Sequence, residues 1–228
     1  MRKVVIAIDG PAAAGKSTVA KAVAKKLGYT YIDTGAMYRA FTSYCLDKGV
    51  DCENEAECVK LIPEVSIELK PDGTVICSGK DVTRVIREPL VSGNVSYIAS
   101  YKDIRLALVE LQRKMAEKDS VIMDGRDIGT YVLPNAEVKI YQIASVETRA
   151  IRRYDENIQK GIPCTLEEIE EDVRKRDYID SHRAFAPLKP APDSILLDTS
   201  FMSVEEVVDA VVKIIDRRVK ELEEGKNA

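Results

Sequence analysis

The sequence predicts an α/β fold in which helices flank a five-stranded parallel sheet. Short apolar runs rich in β-branched residues alternate with helical segments along the chain, as is typical of strands buried on both faces. The 228 residues are enough to bury such a core and to carry one further module. Successive strand–helix–strand units form right-handed crossovers, so ligands are expected at the carboxyl ends of the strands.

The first predicted strand, residues 4–8, leads into a phosphate-binding loop, which indicates a P-loop NTPase core. The stretch GPAAAGKS fits G-x-x-x-x-G-K-[ST], and a helix is predicted over residues 17–27. The glycines let backbone N–H groups turn toward phosphate, Lys16 adds a cation, and Ser17 offers a hydroxyl to Mg²⁺. The helix that follows presents its positive end to the anion. The predicted ATP-binding residues are Gly10, Pro11, Ala12, Ala13, Ala14, Gly15, Lys16, Ser17 and Thr18.

Residues 51–102 interrupt the α/β pattern. A second strand is predicted at residues 29–33 and a helix at 36–48, after which the turn PDG separates two alternating runs. Alternation on both sides of a turn predicts an antiparallel hairpin. We therefore expect a small α+β insertion at 51–102, and a core formed by residues 1–50 and 103–228.

The α/β pattern resumes after the insertion. A helix is predicted over residues 103–118, followed by strands at 120–124, 138–141 and 194–198. Two capping boxes, Thr165 with Glu168 and Ser203 with Glu206, mark the starts of later helices. The last helix places apolar residues on one broad face, which predicts core packing. Those residues are Val204, Val207, Val208, Val211, Val212, Ile215, Val219 and Leu222.

Composition limits the class of partner and the compartment. A net charge of −4 gives no general reason to expect binding to nucleic acid or to a membrane. The five cysteines form no C-x-x-C pair, and the first ten residues are typical of a strand rather than a signal peptide. We therefore expect a reduced, cytoplasmic protein. No surplus apolar stripe is evident, so we expect a monomer.

Arginines near strand ends and in one charged segment indicate phosphoryl transfer between two phosphorylated nucleotides. Such a reaction depends on positioning and on charge stabilisation, so it requires several cations in one cleft. For Arg174 a solvated helix face is an equal alternative. Arg126 lies between two aspartates just after an apolar strand, which favours a role in the cleft. The arginines concerned are Arg39, Arg126, Arg149, Arg152, Arg153, Arg174, Arg176 and Arg183.

Four blocks, in order along nearly the whole chain, resemble the bacterial cytidylate kinases. They are GPAAAGKST from Gly10, DTGAMYR from Asp33, DGRDIGT from Asp124, and KRD from Lys175 with the Asp180-Ser181, Arg183 and APL elements that follow it. The resemblance implies a nucleoside monophosphate kinase that transfers the γ-phosphate of ATP to CMP or dCMP with Mg²⁺, in pyrimidine nucleotide metabolism. It also implies that 51–102 is the monophosphate-binding insertion and that a helical lid spans about 149–183.

The resemblance further implies roles for individual residues. Ser96 and Arg105 resemble the residues that contact the cytosine O2 and N3 acceptors, and Asp127 resembles the acceptor for the N4 amino group. An aspartate facing uracil O4 would set acceptor against acceptor, at a cost of roughly 1 to 3 kcal/mol per unpaired group. The implied CMP-binding residues are Thr34, Tyr38, Arg39, Ser96, Arg105, Gly125, Arg126, Asp127, Arg176, Asp180 and Arg183.

Catalytic and metal roles follow from the same resemblance. The implied catalytic residues are Lys16, Arg126, Arg153 and Arg176. Ser17 and Asp124 are the expected residues at the Mg²⁺ site, and Asp33 is the alternative to Asp124.

Two other functions compete with this interpretation. One is a kinase for another small acceptor, such as UMP, dTMP or a metabolite alcohol. The other is a nucleotide-driven switch or assembly ATPase, which would hydrolyse ATP slowly without an acceptor. The two arginine-rich segments are hard to explain in a switch.

Overall fold

A computed structural model describes residues 3–225, which contain eight strands and eight α-helices. The strands are β1 (Val5–Asp9), β2 (Thr30–Asp33), β3 (Ile67–Leu69), β4 (Val75–Cys77), β5 (Lys80–Asp81), β6 (Val121–Gly125), β7 (Val138–Ile143) and β8 (Ile195–Asp198). The helices are α1 (Lys16–Leu27), α2 (Thr34–Asp47), α3 (Glu55–Lys60), α4 (Pro89–Ile98), α5 (Lys102–Met115), α6 (Val146–Gln159), α7 (Leu166–His182) and α8 (Val204–Glu224).

Five strands form the central parallel sheet in the order β2-β6-β1-β7-β8, which confirms the predicted fold class. The three inner strands carry apolar side chains on both faces, as expected for a sheet covered by helices. In the register of the sheet, Asp9 lies beside Gly125, and Asp33 lies beside Asp124. The polar residues at the ends of these strands therefore lie side by side at the carboxyl edge of the sheet.

The insertion contains the predicted hairpin and one further short strand. Strands β3 and β4 pair antiparallel, β5 extends them to a three-stranded sheet, and α3 and α4 complete the unit. Its apolar side chains share one cluster with Phe41 of α2 and Ile104 of α5. Because α2 and α5 belong to this cluster, they fix the insertion against the core; the boundaries at 51 and 102 stay a prediction.

Two of the last three helices, α7 and α8, begin where the sequence predicts. Capping boxes are present at Thr165 and Ser203, and α6 packs against α7. On α8, Val207, Val211 and Ile215 are buried against the sheet. Val204 was predicted to join them, but this was wrong. Val204 is 54% exposed, because it is the first residue of α8 and borders the cavity described below.

Within residues 3–225, none of the helices combines the length and the apolar character needed to cross a membrane.

Candidate active site

A cavity of about 770 Å³ lies at the carboxyl ends of the central strands. Its walls come from the phosphate loop, the strand ends, the insertion and the α6–α7 pair. The predicted site residues that line it are Ala13, Ala14, Gly15, Lys16, Ser17, Thr18, Thr34, Tyr38, Arg39, Ser96, Arg105, Asp124, Gly125, Arg126, Asp127, Arg153, Arg176, Asp180 and Arg183. Gly10, Pro11 and Ala12 lie outside this lining and form the base of the loop.

The phosphate loop is shaped by close contacts with β7. At Gly10 φ is 153°, and a Cβ atom there would lie 1.9 Å from the carbonyl oxygen of Gln142, so only glycine fits. The Gln142 side chain donates from Nε2 to the carbonyl of Ala14 at 2.6 Å. Gln142 was not among the predicted site residues, since an amide inside an apolar strand has no distinguishing pattern.

Lys16 is buried in the loop and donates from Nζ to the carbonyl of Pro11 at 2.7 Å. Burial, together with the nearby positive charge of Arg126, lowers the pKa of Lys16 to about 7. The Lys16 ammonium is therefore destabilised in the loop, and an anionic ligand that pairs with it would restore its charge.

Asp124, at the end of β6, forms an oxygen-rich group with Ser17 and Tyr31. The Ser17 hydroxyl donates to Oδ2 of Asp124 at 2.8 Å, and the Tyr31 hydroxyl donates to Oδ1 at 2.8 Å. Burial and the neighbouring Asp33 raise the pKa of Asp124. A carboxylate and a hydroxyl beside a phosphate loop are donors that suit Mg²⁺.

Asp33 is occupied by partners of its own. It accepts from the backbone N–H of Ala36 at 2.7 Å, pairs with Arg87 Nη2 at 2.8 Å, and lies 3.6 Å from Arg39 Nη2. Arg87, on a 3₁₀ turn of the insertion, also lines the cavity. Sequence reasoning assigned it no role, because nothing local separates it from other surface arginines.

Asp127 is buried between two guanidinium groups. Arg105 donates from Nη2 to its Oδ2 and from Nη1 to the carbonyl of Ala99 at 3.0 Å, while Arg183 Nη2 lies 3.2 Å from Oδ1 of Asp127. The Arg105 guanidinium also lies 5.3 Å from the centre of the Tyr38 ring. Among residues 3–225, Arg105 Nε and the Tyr38 hydroxyl have no hydrogen-bond partner, so both groups are available to a ligand at this end of the cavity.

Asp9 supports the segment that carries Asp127. Its Oδ1 and Oδ2 accept from the N–H groups of Ile128 and Gly129, both at 2.7 Å. Burial, only partly offset by these hydrogen bonds, raises the pKa of Asp9 to about 6. No local sequence pattern predicts these partners of Asp9, which lie 119 and 120 residues away along the chain.

Arg126 and Arg176 bring further positive charge into the cavity. Arg126 Nε pairs with Asp180 Oδ2 at 2.8 Å, and Arg176 Nη1 lies 4.0 Å from Asp172. Within the described part of the chain, Arg176 Nε is buried without a hydrogen-bond partner. Although burial opposes the effect, Arg126, Arg183 and Arg176 lower the pKa of Asp180, so this carboxylate stays ionised beside the arginines.

The remaining predicted arginines divide between cavity, interior and surface. Arg152 lines the cavity and donates to the carbonyl of Thr199 at 2.6 Å. Arg149, expected at the start of the lid, lies on α6, and its side chain points to the phosphate loop, where it donates to the carbonyl of Ala12 at 2.9 Å. Arg174 is a surface residue whose side chain is 62% exposed and pairs with Glu170.

A parallel α/β sheet, a phosphate loop and a cavity rich in arginine together define a P-loop kinase. Among solved structures, the chain has a TM-score of 0.52 and 12% identity to a gluconokinase from Sinorhizobium meliloti, covering 97% of each chain. This likeness concerns the fold alone.

Sequence comparisons identify the particular family. The cytidylate kinase family model matches residues 6–217. The chain is 51% identical to a cytidylate kinase of Anoxybacillus flavithermus, over 96% of this chain and 99% of the relative. It is 52% identical to that of Geobacillus kaustophilus, again over 96% and 99%. The chain belongs to the cytidylate kinase family, which confirms the resemblance seen in the sequence.

Proposed function

We propose that this protein transfers the γ-phosphate of ATP to CMP or dCMP, with Mg²⁺, and so produces CDP or dCDP in pyrimidine nucleotide metabolism. The observation that supports this most is Asp127, a buried carboxylate in the same cavity as the phosphate loop. Cytosine offers a donor at N4 and acceptors at N3 and O2. A carboxylate beside a guanidinium matches this pattern, whereas uracil O4 would face the carboxylate unfavourably.

Arg105, Asp127 and Ser96 are the proposed base-reading residues. Arg105 is held by Asp127 and Ala99, so its guanidinium is oriented before the base arrives. Ser96 is buried and lines the same cavity. Asp180 and Arg183, with Thr34 and Tyr38, are assigned to the ribose and to the walls around the acceptor.

The donor phosphates are assigned to the loop residues from Gly10 to Thr18, with Lys16 as the cation that neutralises developing charge. Arg39, Arg126, Arg153 and Arg176 surround the acceptor phosphate and the transferred group. We add Arg87, because it lines the cavity and shares Asp33 with Arg39. The acceptor phosphate is already anionic, so the reaction requires positioning and charge rather than a general base.

Ser17 and Asp124 would hold Mg²⁺. Their oxygen atoms lie within one hydrogen bond of each other beside the phosphate loop, and hard oxygen donors are what this cation requires. Asp33 is a weaker candidate, because its carboxylate already serves Ala36, Arg87 and Arg39. When bound, Mg²⁺ would neutralise charge on the phosphate oxygens.

The α6–α7 pair is the proposed lid, over about residues 149–183. Closure would exclude water, so that transfer to the acceptor prevails over hydrolysis. We further propose a monomer in the cytoplasm; the five free cysteines suit a reducing compartment.

The test is steady-state ADP formation from ATP and Mg²⁺ with CMP, dCMP, UMP, dTMP, AMP or no acceptor. We expect strong turnover with CMP and dCMP alone. Equal turnover with UMP would refute the base-reading assignment. Hydrolysis at the same rate without any acceptor would indicate a switch ATPase instead.

A further inference from the structure

One residue of the phosphate loop is held at both of its backbone groups by side chains from other elements. The N–H of Ala12 donates to Asp177 Oδ1 at 3.2 Å, and its carbonyl accepts from Arg149 Nη1 at 2.9 Å. Arg149 Nη1 and Asp177 Oδ2 are 2.7 Å apart. Ala12, Asp177 and Arg149 therefore form a closed hydrogen-bonded ring.

The ring is anchored in both lid helices. Arg149 lies on α6, where its side chain is 5% exposed and its Nε donates to the carbonyl of Ala144 at 2.9 Å. Asp177 lies on α7, directly after Arg176 and three residues before Asp180, and both of those side chains reach the cavity. One turn of α7 thus contacts the phosphate loop through Asp177 and the cavity through its neighbours.

The contact is made outside the cavity. Ala12, Arg149 and Asp177 are absent from the residues that line it, whereas Ala13, the next residue, lines it. Ala13 has a φ of 57°, a conformation that is uncommon for residues other than glycine. The N–H groups that follow Ala13 face the cavity. Because the ring fixes Ala12, it also fixes the direction in which the loop enters the turn at Ala13.

We propose that Arg149 and Asp177 are positioning residues, which set the phosphate loop against α7 so that the donor phosphate and Arg176 are aligned for transfer. This proposal rests on the proposed function. Neither residue has to touch a substrate. Misplacement of reacting groups by about 1 Å can cost roughly 100-fold in rate, so the ring acts on the transfer step more than on binding.

The alternative is a purely structural ion pair, and the kinetic parameters separate the two. The loop N–H groups after Ala12 and the Lys16 side chain are not members of the ring, so they should still bind phosphate when the ring is broken. We therefore expect kcat to fall while the KM values for ATP and CMP change little. A structural role alone would lower the melting temperature and leave kcat per folded molecule unchanged.

The test compares the wild type with Asp177→Ala, Asp177→Asn and Arg149→Met. For Asp177→Ala we expect a kcat about 10- to 100-fold lower, with both KM values within about threefold. Asp177→Asn keeps an acceptor for Ala12 and should lose less. Glu170→Gln is the matched control, because it breaks an exposed ion pair on the same helix and should leave kcat unchanged.

A double variant, Asp177→Ala with Arg149→Met, gives an independent measure. Either substitution breaks the same ring and so loses the same alignment. The kcat of the double variant should therefore be no lower than that of the worse single variant. If Arg149→Met does not fold, the two Asp177 variants decide alone.

The proposal is overturned if folded Asp177→Ala retains a kcat within threefold of the wild type, or if both KM values rise while kcat holds. If the wild type prefers another acceptor, the proposed function fails, and the same variants are then assayed with that acceptor. The two proposals can therefore fail separately.

Discussion

Replacing Arg105 by methionine tests the base-reading end of the cavity most directly. The side chain is 1% exposed and donates to Ala99 and Asp127, while its Nε has no hydrogen-bond partner among the residues that the structure describes. Methionine keeps much of the length of the side chain and removes every donor. The variant should therefore lose cytosine recognition without opening a large cavity.

The expected size of the effect follows from the lost hydrogen bond. A hydrogen bond to a charged group contributes about 1.5 to 3 kcal/mol, which corresponds to about 10- to 150-fold in affinity. The KM for CMP should rise by this factor and the KM for ATP should stay within about twofold. Breaking a buried ion pair typically costs about 3 to 5 kcal/mol. Because Asp127 keeps Arg183 as a partner at 3.2 Å, the free energy of unfolding of Arg105→Met should fall by about 3 kcal/mol or less.

The assay is coupled steady-state kinetics with each nucleotide varied in turn, together with urea unfolding. Arg113→Met is the matched control on the same helix, since Arg113 donates to the carbonyls of Tyr131 and Val132 and does not line the active-site cavity. It should affect stability alone. Equal weakening of CMP and ATP by Arg105→Met would refute the base-site assignment.

Three further predictions concern the phosphate loop. Lys16→Ala should abolish turnover and leave the far-ultraviolet circular dichroism spectrum unchanged; near-normal turnover would show that the loop does not bind ATP. The pKa of Lys16 is lowered to about 7, and binding of the anionic donor should raise this pKa. At pH 8 the protein should therefore take up a fraction of a proton when ATP binds, and the affinity for ATP should fall as the pH rises above about 7. Calorimetry in two buffers of different ionisation enthalpy measures this uptake, and an identical heat in both buffers would contradict it. Gly10→Ala should eliminate ATP binding, since its Cβ would lie 1.9 Å from the Gln142 carbonyl oxygen. The control Gly161→Ala, where φ is 70° and the space around a Cβ is open, should cost only about 1 to 2 kcal/mol of stability. Urea unfolding and ATP titration measure both effects, and similar results for the two variants would argue against the steric explanation.

Residues close together in the sequence account for most of what could be predicted. The phosphate loop occupies one contiguous stretch, and its glycines, lysine and serine act through local backbone geometry. The hairpin of the insertion and both capping boxes are likewise local, and the structure contains all of them. The error at Val204 has the same origin, because periodicity assigns a residue to a helix face without showing whether the core or a cavity lies against it.

The assembly of the site depends on contacts between distant parts of the chain. Asp127 meets Arg105 across 22 residues and Arg183 across 56. The resemblance to a known family suggested that these residues share a site, but it did not show that they pair with one another. The ring between Ala12 and Asp177 spans 165 residues, and no local pattern marks either end of it.

The sequence by itself determined the order of the five core strands along the chain, the phosphate loop and the family, because each depends on residue types in a fixed local order. Only the tertiary structure decided which charges pair. It assigned Asp33 to Arg87, Asp127 to Arg105, and Arg149 to the phosphate loop. The reason is physical: a buried charge requires a partner, and which partner is within reach depends on how strands and helices pack.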